Sequence, residues 1–262
     1  MLGFPKNALY LRYSSPFSPK NRLILNFTGI STRYEHREGT YSKIADLIST
    51  TLSVHPGNYL AFFPSFSFLD EVYHYLQQYN LPVSLIKQER TMSERERRKV
   101  LKLLRTPLPK QKSLKSSLSY LKEHISMNQG YLLCGVHGGI FSEGVDYEGD
   151  MGIGVFIIGP GLPSYNFEQE LIKNYFQQTM KKGFEYAYRN PGMTRVIQAA
   201  GRIFRSDKDR GIVLLIGNRF SLPFYASLFP PEWNITPFSE ISELSPILRS
   251  FWKKETPFHG FK

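Results

Sequence analysis

The chain has 262 residues, of which 41% are hydrophobic, and its 33 Lys and Arg against 22 Asp and Glu give a net charge of +11. This length suits one α/β domain with additions. The single cysteine, Cys134, excludes an internal disulfide, and one cysteine cannot supply a zinc or iron–sulfur site. The scarcity of cysteine favours a reducing, cytoplasmic setting. No stretch approaches the roughly 20 apolar residues of a membrane span, so we expect no membrane partner.

The excess of positive charge favours a polyanionic partner, most often nucleic acid. The charge is densest between Lys87 and Lys115, where eleven Lys or Arg stand against three Glu. Helix faces that meet only solvent often carry similar runs, so a solvated surface stays open as the alternative.

Strands and helices alternate along the first half of the chain. Residues 1–22 are interrupted by Pro and Ser, which predicts an extended lead-in. A capping box, Ser93 with Glu96, begins a helix that Pro107 ends. Apolar runs and helical spacing predict strands at Leu23–Phe27, Tyr59–Phe63 and Pro82–Ile86, and further helices at Tyr41–Val54 and Phe66–Tyr79.

The second half continues the alternation after a predicted, partly helical insertion at about 107–128. Pro191 and Gly192 are predicted to separate two helices. The tail, 223–262, is rich in Pro and aromatic residues and is predicted to pack irregularly on the domain. The remaining predicted strands are Gly130–Val136, Gly154–Gly159 and Ile212–Ile216, and the helices are Phe167–Tyr188 and Arg195–Phe204.

Short, uniformly apolar strands between helices indicate an α/β fold: a parallel sheet flanked by helices on both faces. One domain over residues 23–222 would contain it. Ligands of such sheets bind beyond the C-terminal strand ends. Three loops should lie there, FFPSFS, HGGIFSEGVD and GPGLPSYN, although ordinary strand-end turns would look similar.

Several sequence features of catalytic sites are missing. The chain has no GxxxxGK[ST] phosphate loop, no GxGxxG and no HExxH. Asp146, Glu148 and Asp150 form an acidic run, but acids in a glycine loop are commonly turn formers. His137 lies in the second loop, where a structural role is at least as plausible as a functional one.

The stretch QAAGRIFRSDKDRG, 198–211, is the most distinctive in the chain. If 195–204 is helical, Gln198, Arg202 and Arg205 line one face at i, i+4 and i+7. Guanidinium groups match phosphate oxygens in a bidentate manner and keep their charge near neutral pH. The alternative is a pair of surface arginines that form ion pairs with Asp207 and Asp209.

Three of these segments, taken together, resemble motifs of superfamily 2 helicases of the XPD/DinG type. QAAGRIFRSDKDRG resembles motif VI, GGIFSEGVDYEGD resembles motif V, and GNYLAFFPSFSFLDEVY resembles motif IV. ISTRYEHRE resembles a segment early in the second motor domain of DinG-like helicases. The resemblance implies a RecA-like helicase C-terminal domain. Its partner would be a first RecA-like domain on the same or another polypeptide, and DNA repair is the process expected of the family.

The resemblance also implies an ATP site. Arg205 matches the arginine-finger position, Arg202 would contact the γ-phosphate, and Gln198 would help to close the cleft. Gly144, Asp146 and Gly201 would lie near the nucleotide. ATP and Mg²⁺ would be shared with the first domain, which carries the phosphate loop and any iron–sulfur cluster, so this chain alone should hydrolyse little or no ATP.

The implied nucleic-acid contacts lie in the other two motifs. Phe63, Pro64 and Ser65, together with Ser142 and Glu143, would lie near single-stranded DNA or a junction of single and double strands. Two other classes stay open: a stand-alone nucleic-acid-binding module without catalysis, and an interaction domain that docks a partner through its aromatic tail.

Overall fold

The computed structural model describes residues 9, 11, 18–107 and 129–253. Within them, seven strands form one sheet, and every neighbouring pair is parallel. The strands are β1 Arg22–Phe27, β2 Tyr59–Phe63, β3 Ser84–Lys87, β4 Tyr131–Val136, β5 Gly154–Ile158, β6 Gly211–Ile216 and β7 Ile235–Phe238. Their order across the sheet is β3-β4-β2-β5-β6-β1-β7. The predicted parallel sheet is confirmed.

The helices agree with the predicted alternation in the first half of the chain and differ in the second. They are α1 Tyr41–Val54, α2 Phe66–Leu76, α3 Glu94–Arg105, α4 Phe167–Met180, α5 Asn190–Ala200, α6 Pro223–Ala226 and α7 Ile241–Lys253. None of the described helices is long and apolar enough to span a bilayer. Of the predicted insertion only Pro107 is described, and the lead-in is described continuously from residue 18.

Helices cover both faces of the sheet, and each face has its own apolar core. On one face, α1, α2 and α7 bury residues such as Ile48, Leu69 and Leu244. On the other, α3 and α5 bury Leu104 and Val196, among others. The strands β2, β5 and β6 are buried along their whole length because both of their faces are covered. Cys134 lies buried in β4, where burial raises the pKa of its thiol.

The predicted break at Pro191 and Gly192 is wrong. The chain instead leaves α4 at Lys181, whose backbone is left-handed (φ 58°). A π-helical turn, Glu185–Arg189, then continues directly into α5. Pro191 is tolerated because it lies in the first turn of α5, where a backbone amide often has no carbonyl partner within the helix. Gly192 packs on Leu162, where an added Cβ would come within 2.8 Å of the leucine side chain.

The predicted long helix Phe167–Tyr188 is therefore shorter, and its apolar side is not covered. α4 buries none of its residues within the described parts of the chain. Leu171, Tyr175 and Phe184, which the helical spacing places together, are exposed. The helix is attached mainly through the π-helical turn, where Gln169 Nε2 donates to Ala187 O and Tyr188 Oη donates to Glu170.

The prediction of an irregular tail is also wrong. β7 adds a parallel edge strand next to β1, and α7 packs against α1. Leu244 and Leu248 of α7 are completely buried. The sequence did not predict these two elements, because β7 contains Pro237 and α7 contains Pro246. Proline in a sheet is confined mainly to edge strands, and in a helical pattern it usually indicates a helix end.

The packing of α7 predicts that the tail contributes to stability. Leu248→Ala should lower the free energy of unfolding by about 2–5 kcal/mol, because it leaves a cavity in the α1–α7 core. Leu103→Ala is the matched control, since Leu103 lies in α3 and is 43% exposed. Urea denaturation monitored by circular dichroism measures both values. Equal, small losses in the two variants would contradict the prediction.

Candidate functional site

The crossing segment, which connects β4 to β5, runs over one face of the sheet, from the C-terminal ends of the strands back to their N-terminal ends. At its start, His137 N donates to Phe63 O at the C-terminal end of β2 (3.0 Å). Near its end, Asn58 Nδ2, just before β2, donates to Asp150 O (2.7 Å). The segment contains one short 3-10 turn, Gly149–Met151, and no α-helix. It is anchored in the α3–α5 core by three buried side chains, Phe141, Val145 and Tyr147.

Near the end of this crossing, Asp146 brings the two arginines of the 198–211 stretch together. One oxygen, Asp146 Oδ1, lies 3.2 Å from Arg202 Nη1 and 2.6 Å from Arg205 Nη2. Tyr147 N donates to Arg202 O (3.2 Å), which ties the two segments through the backbone as well. The carboxylate is 56% exposed and Arg202 only 19% exposed. The result is a paired cationic site that solvent still reaches.

The arginines are not aligned by a helix, so the predicted i, i+4, i+7 face is wrong. α5 ends at Ala200, and a 3-10 turn, Gly201–Ile203, leads into extended backbone at Phe204. Burial of Ile203 and Phe204 against the sheet turns the chain away from the helix axis. The arginines converge because both reach Asp146.

The alternative ion pairs with Asp207 and Asp209 do not form either. Asp209 Oδ2 accepts hydrogen bonds from the backbone amides of Arg205 and Ser206, each at 2.6 Å. A carboxylate that accepts two amides in this way fixes the turn. Asp209 therefore holds the backbone that carries Arg205, while the guanidinium is left to Asp146.

Three further residues were predicted to belong to the ATP site: Gly144, Gly201 and Gln198. Gly144 adopts φ +68° and Gly201 ends α5, and an added Cβ would meet nothing within 4 Å at either position. Gln198 is exposed on α5. Among the described residues, no hydrogen bond joins Gln198 to either arginine.

A cavity of about 460 Å³ opens beside Asp146, between the crossing segment and α3. Arg97 and Arg105 of α3 line it together with Gly144, Asp146 and Glu148. Arg97 Nε donates to Ile140 O (3.0 Å), so α3 also supports the crossing segment. Sequence reasoning missed Arg97 because its run of charge looked like a solvated helix face.

At the C-terminal edge of the sheet, the residues predicted to meet nucleic acid differ in exposure. Phe63 is fully buried and Ser142 nearly so, and Ser142 Oγ donates to Gly139 O. Ser65 caps α2 by accepting from Phe68 N (3.2 Å). Pro64 lies beside it, half-buried, and Glu143 is exposed. Because β4, β2 and β5 are neighbours, the three loops predicted at this edge begin side by side.

Two further residues organise this edge. Arg195 Nη1 donates to Gly161 O (3.2 Å) and its guanidinium packs beside Gly138, which adopts φ +70°. His137 Nε2 lies 3.3 Å from Ile158 O. Burial lowers the pKa of His137 to about 4, so the ring is neutral near pH 7. Arg195 links two of the loops, a role that its position within a predicted helix did not reveal.

Solved structures define the class of the fold. The chain is similar to an apo XPD structure, with a TM-score of 0.60 and 18% identity over 83% of this chain and 40% of that one. It is similar to Saccharomyces cerevisiae Dbp5 bound to RNA and ADP BeF3, with a TM-score of 0.52 and 11% identity over 88% of this chain and 46% of that one. The sheet and its helical cover are those of a RecA-like α/β domain.

The sequence profile of the helicase C-terminal domain matches residues 48–236, and the chain belongs to that family. It is 27% identical to the Aspergillus clavatus ATP-dependent DNA helicase chl1 over an alignment of 212 positions, gaps included, that covers 72% of this chain and 28% of that protein. It is 24% identical to the XPD/RAD3 helicase subunit of the Saccharomyces cerevisiae general transcription and DNA repair factor IIH over an alignment of 276 positions, gaps included, that covers 98% of this chain and 33% of that protein. The predicted membership among second RecA-like domains of the XPD/DinG type is confirmed.

The chain spans about a third or less of the curated relatives named above.

The shared carboxylate predicts that Asp146 competes with phosphate for the two arginines. Asp146→Asn should tighten binding of inorganic tripolyphosphate to this chain at low salt, because the guanidinium groups lose their counter-anion. The cost in folding stability should stay below about 1 kcal/mol, since the Asp146 carboxylate is mostly exposed. Isothermal titration calorimetry measures the affinity. Asp150→Asn is the matched control, and an equal change in both variants would refute the competition.

The pKa of His137 predicts a pH-dependent stability. An unfolded histidine binds its proton near pH 6.5, but His137 in the fold does so only near pH 4. The unfolded state therefore binds more protons in that window, so stability should fall as the pH is lowered from 6.5 to 4. His137→Gln should lose less over this range than the wild type in thermal melts. His74→Gln, at an exposed position, is the control and should follow the wild type.

Proposed function

We propose that this chain is the C-terminal motor domain of an ATP-dependent DNA helicase, and that it supplies an arginine finger to a nucleotide bound on a first RecA-like domain. The observation that carries the proposal is the convergence of Arg202 and Arg205 on one exposed carboxylate oxygen. The family membership and the match of this stretch to motif VI support it.

Arg205 is the proposed finger because its guanidinium is the more exposed of the two. Its side chain is 34% exposed, whereas that of Arg202 is 19% exposed. A fixed guanidinium stabilises the charge that develops on the transferring phosphoryl group. Arg202 would orient the γ-phosphate, and Gly144 and Gly201 would let it approach, because no side chain fills the space beside them. Gln198 would help to close the cleft.

The nucleotide itself would be held mainly elsewhere. The phosphate loop would come from the first domain, and Mg²⁺ would be bound there with the phosphates. This chain contributes cations and the Asp146 carboxylate, which would face the ribose or phosphates. The chain by itself is therefore expected to have little or no ATPase activity.

Single-stranded DNA would bind at the C-terminal edge of the sheet. The start of α2, capped by Ser65, directs backbone amides outward, a typical phosphate site. Pro64 and Glu143 lie at the surface of the same edge. Phe63 and Ser142 would act through backbone and packing, because their side chains are buried.

One segment would connect the two sites. Residues 137–153 begin at the proposed DNA edge and pass Asp146 before they enter β5. Closure of the cleft around ATP would move the arginines relative to Asp146 and so pull on the other end of the segment. Opening after hydrolysis would reverse the movement, which is the ratchet expected of a two-domain motor.

A non-catalytic nucleic-acid-binding module is the second candidate. The net charge of +11 favours it, because that charge would serve DNA binding whether or not ATP is turned over. The two candidates differ in the need for Arg205.

Arg205→Ala in the protein that also contains the first motor domain should lower DNA-stimulated ATP turnover by about 10³–10⁵-fold while nucleotide binding persists. Steady-state ATPase assays and binding of a fluorescent ATP analogue measure the two effects. Lys208→Ala, at an exposed site three residues away, is the control for a lost charge. Turnover at the wild-type rate in Arg205→Ala would rule out the finger.

A further inference from the structure

The side of α3 opposite its buried residues carries only positive charge, while the exposed Glu94 and Glu96 lie in its first turn, on the flanks of that side. Val100 and Leu104 face the core, and every position opposite them is Lys or Arg. These residues, spaced at i, i+3, i+4, i+7 and i+10, are Arg95, Arg98, Lys99, Lys102 and Arg105. A helix face that only meets solvent usually mixes both signs of charge, so that i,i+4 pairs attract.

The acidic residues of α3 are already engaged. Glu96 bonds both the amide and the hydroxyl of Ser93 in the capping box. Glu94 pairs with Arg97 and Arg98. Among the described residues, none of the remaining cations, Arg95, Lys99, Lys102 and Arg105, lies within 4.0 Å of an acidic oxygen.

This arrangement opposes the stability of the helix. Arg95 and Lys99, and Arg98 and Lys102, are like-charged neighbours one turn apart, which destabilises a helix. The sequence that follows, 108–128, has four Lys and one Glu, so its composition adds no net negative charge. A run of cations that weakens its own helix suits an anion supplied from outside.

We propose that this face of α3 binds the phosphate backbone of nucleic acid as a second contact surface, separate from the loops 63–65 and 142–143. From Arg95 to Arg105 the face extends about 15 Å along the helix, at 1.5 Å per residue. Along the axis of a B-form duplex, that length corresponds to about four phosphates of one strand at 3.4 Å per nucleotide. Phosphate contacts of this kind give affinity without sequence preference.

Continuity with the C-terminal edge favours nucleic acid over other polyanions. The Arg90 guanidinium lies 4.7 Å from the ring centre of Phe66, the first residue of α2 after Ser65. Arg97, in the first turns of α3, reaches Ile140 O in the crossing segment. A strand bound at Ser65 would therefore pass Arg90 and continue along α3.

The test compares two triple variants of this chain. The first is Arg95→Gln with Lys99→Gln and Lys102→Gln, which removes three charges and keeps helix propensity. The second, Lys43→Gln with Arg249→Gln and Lys253→Gln, removes the same charge from exposed positions on α1 and α7, on the other face of the sheet. Fluorescence anisotropy with a labelled mixed-sequence single strand, and with a hairpin duplex, gives affinity as a function of salt.

The α3 variant should bind the single strand roughly tenfold more weakly at low salt, and its slope of log K against log salt should be shallower by about two, from about 0.7 per lost contact. The control should change much less. Thermal melts should show the α3 variant at least as stable as the wild type, because like charges are removed.

Three outcomes would overturn the proposal. One is wild-type oligonucleotide binding by the α3 variant, and another is an equal loss in the control. The third is binding to phosphatidylserine vesicles that needs the three α3 cations while oligonucleotide binding does not. The inference extends the proposed function, but the two fail separately: the α3 test does not involve ATP turnover, and the Arg205 test does not alter α3.

Discussion

Parallel pairing constrains the molecule most strongly in the connection from β4 to β5. Both strands run in the same direction with β2 between them, so the chain must return along the full length of the strands before β5 begins. Most such returns use a helix; this one uses an irregular segment held by buried aromatic side chains. Tyr147 is central to it, since its amide donates to Arg202 O and its hydroxyl donates to Phe141 O. The position of Asp146, one residue earlier, follows from that anchoring.

The irregular return explains how residues far apart in sequence come together. A helix in this place would cover the α3–α5 face and separate Asp146 from the end of α5. The irregular segment instead lies between α3 and α5, with Arg97 on one side and Arg202 on the other. The arginines need no common helical face, because the carboxylate opposite them determines where their side chains meet.

The sequence was sufficient for elements whose signal is local. α1 matches its predicted limits, and the capping box of Ser93 and Glu96 forms as predicted because both partners lie within one turn. The same reasoning failed where distant contacts override local signals. Pro191 looked like a break, but it lies in the first turn of α5, which follows directly on a π-helical turn. Pro246 argued against a helix at α7, which is stabilised by burial of Leu248.

The candidate site shows the same division. The sequence identified Arg202, Arg205 and Asp146 as residues of one site, through motif wording and the chemistry of guanidinium groups. It could not show that they touch, because the contact joins residues 56 positions apart in the sequence. It also gave the wrong geometry, since the helical period was extended past Gly201, where burial of Phe204 ends the helix.

The positive charge of the chain is distributed in two physically different ways. Arg202 and Arg205 share an internal anion, so they are ordered before any ligand arrives, and a phosphate must compete with Asp146 to engage them. Such a site favours ligands that carry several charges at close spacing. Four cations of α3, Arg95, Lys99, Lys102 and Arg105, have no acidic oxygen within 4.0 Å among the described residues, so they attract any polyanion over a longer range. In the function proposed above, selective recognition of phosphate would therefore belong to the arginine pair, and general attraction of polyanions to α3.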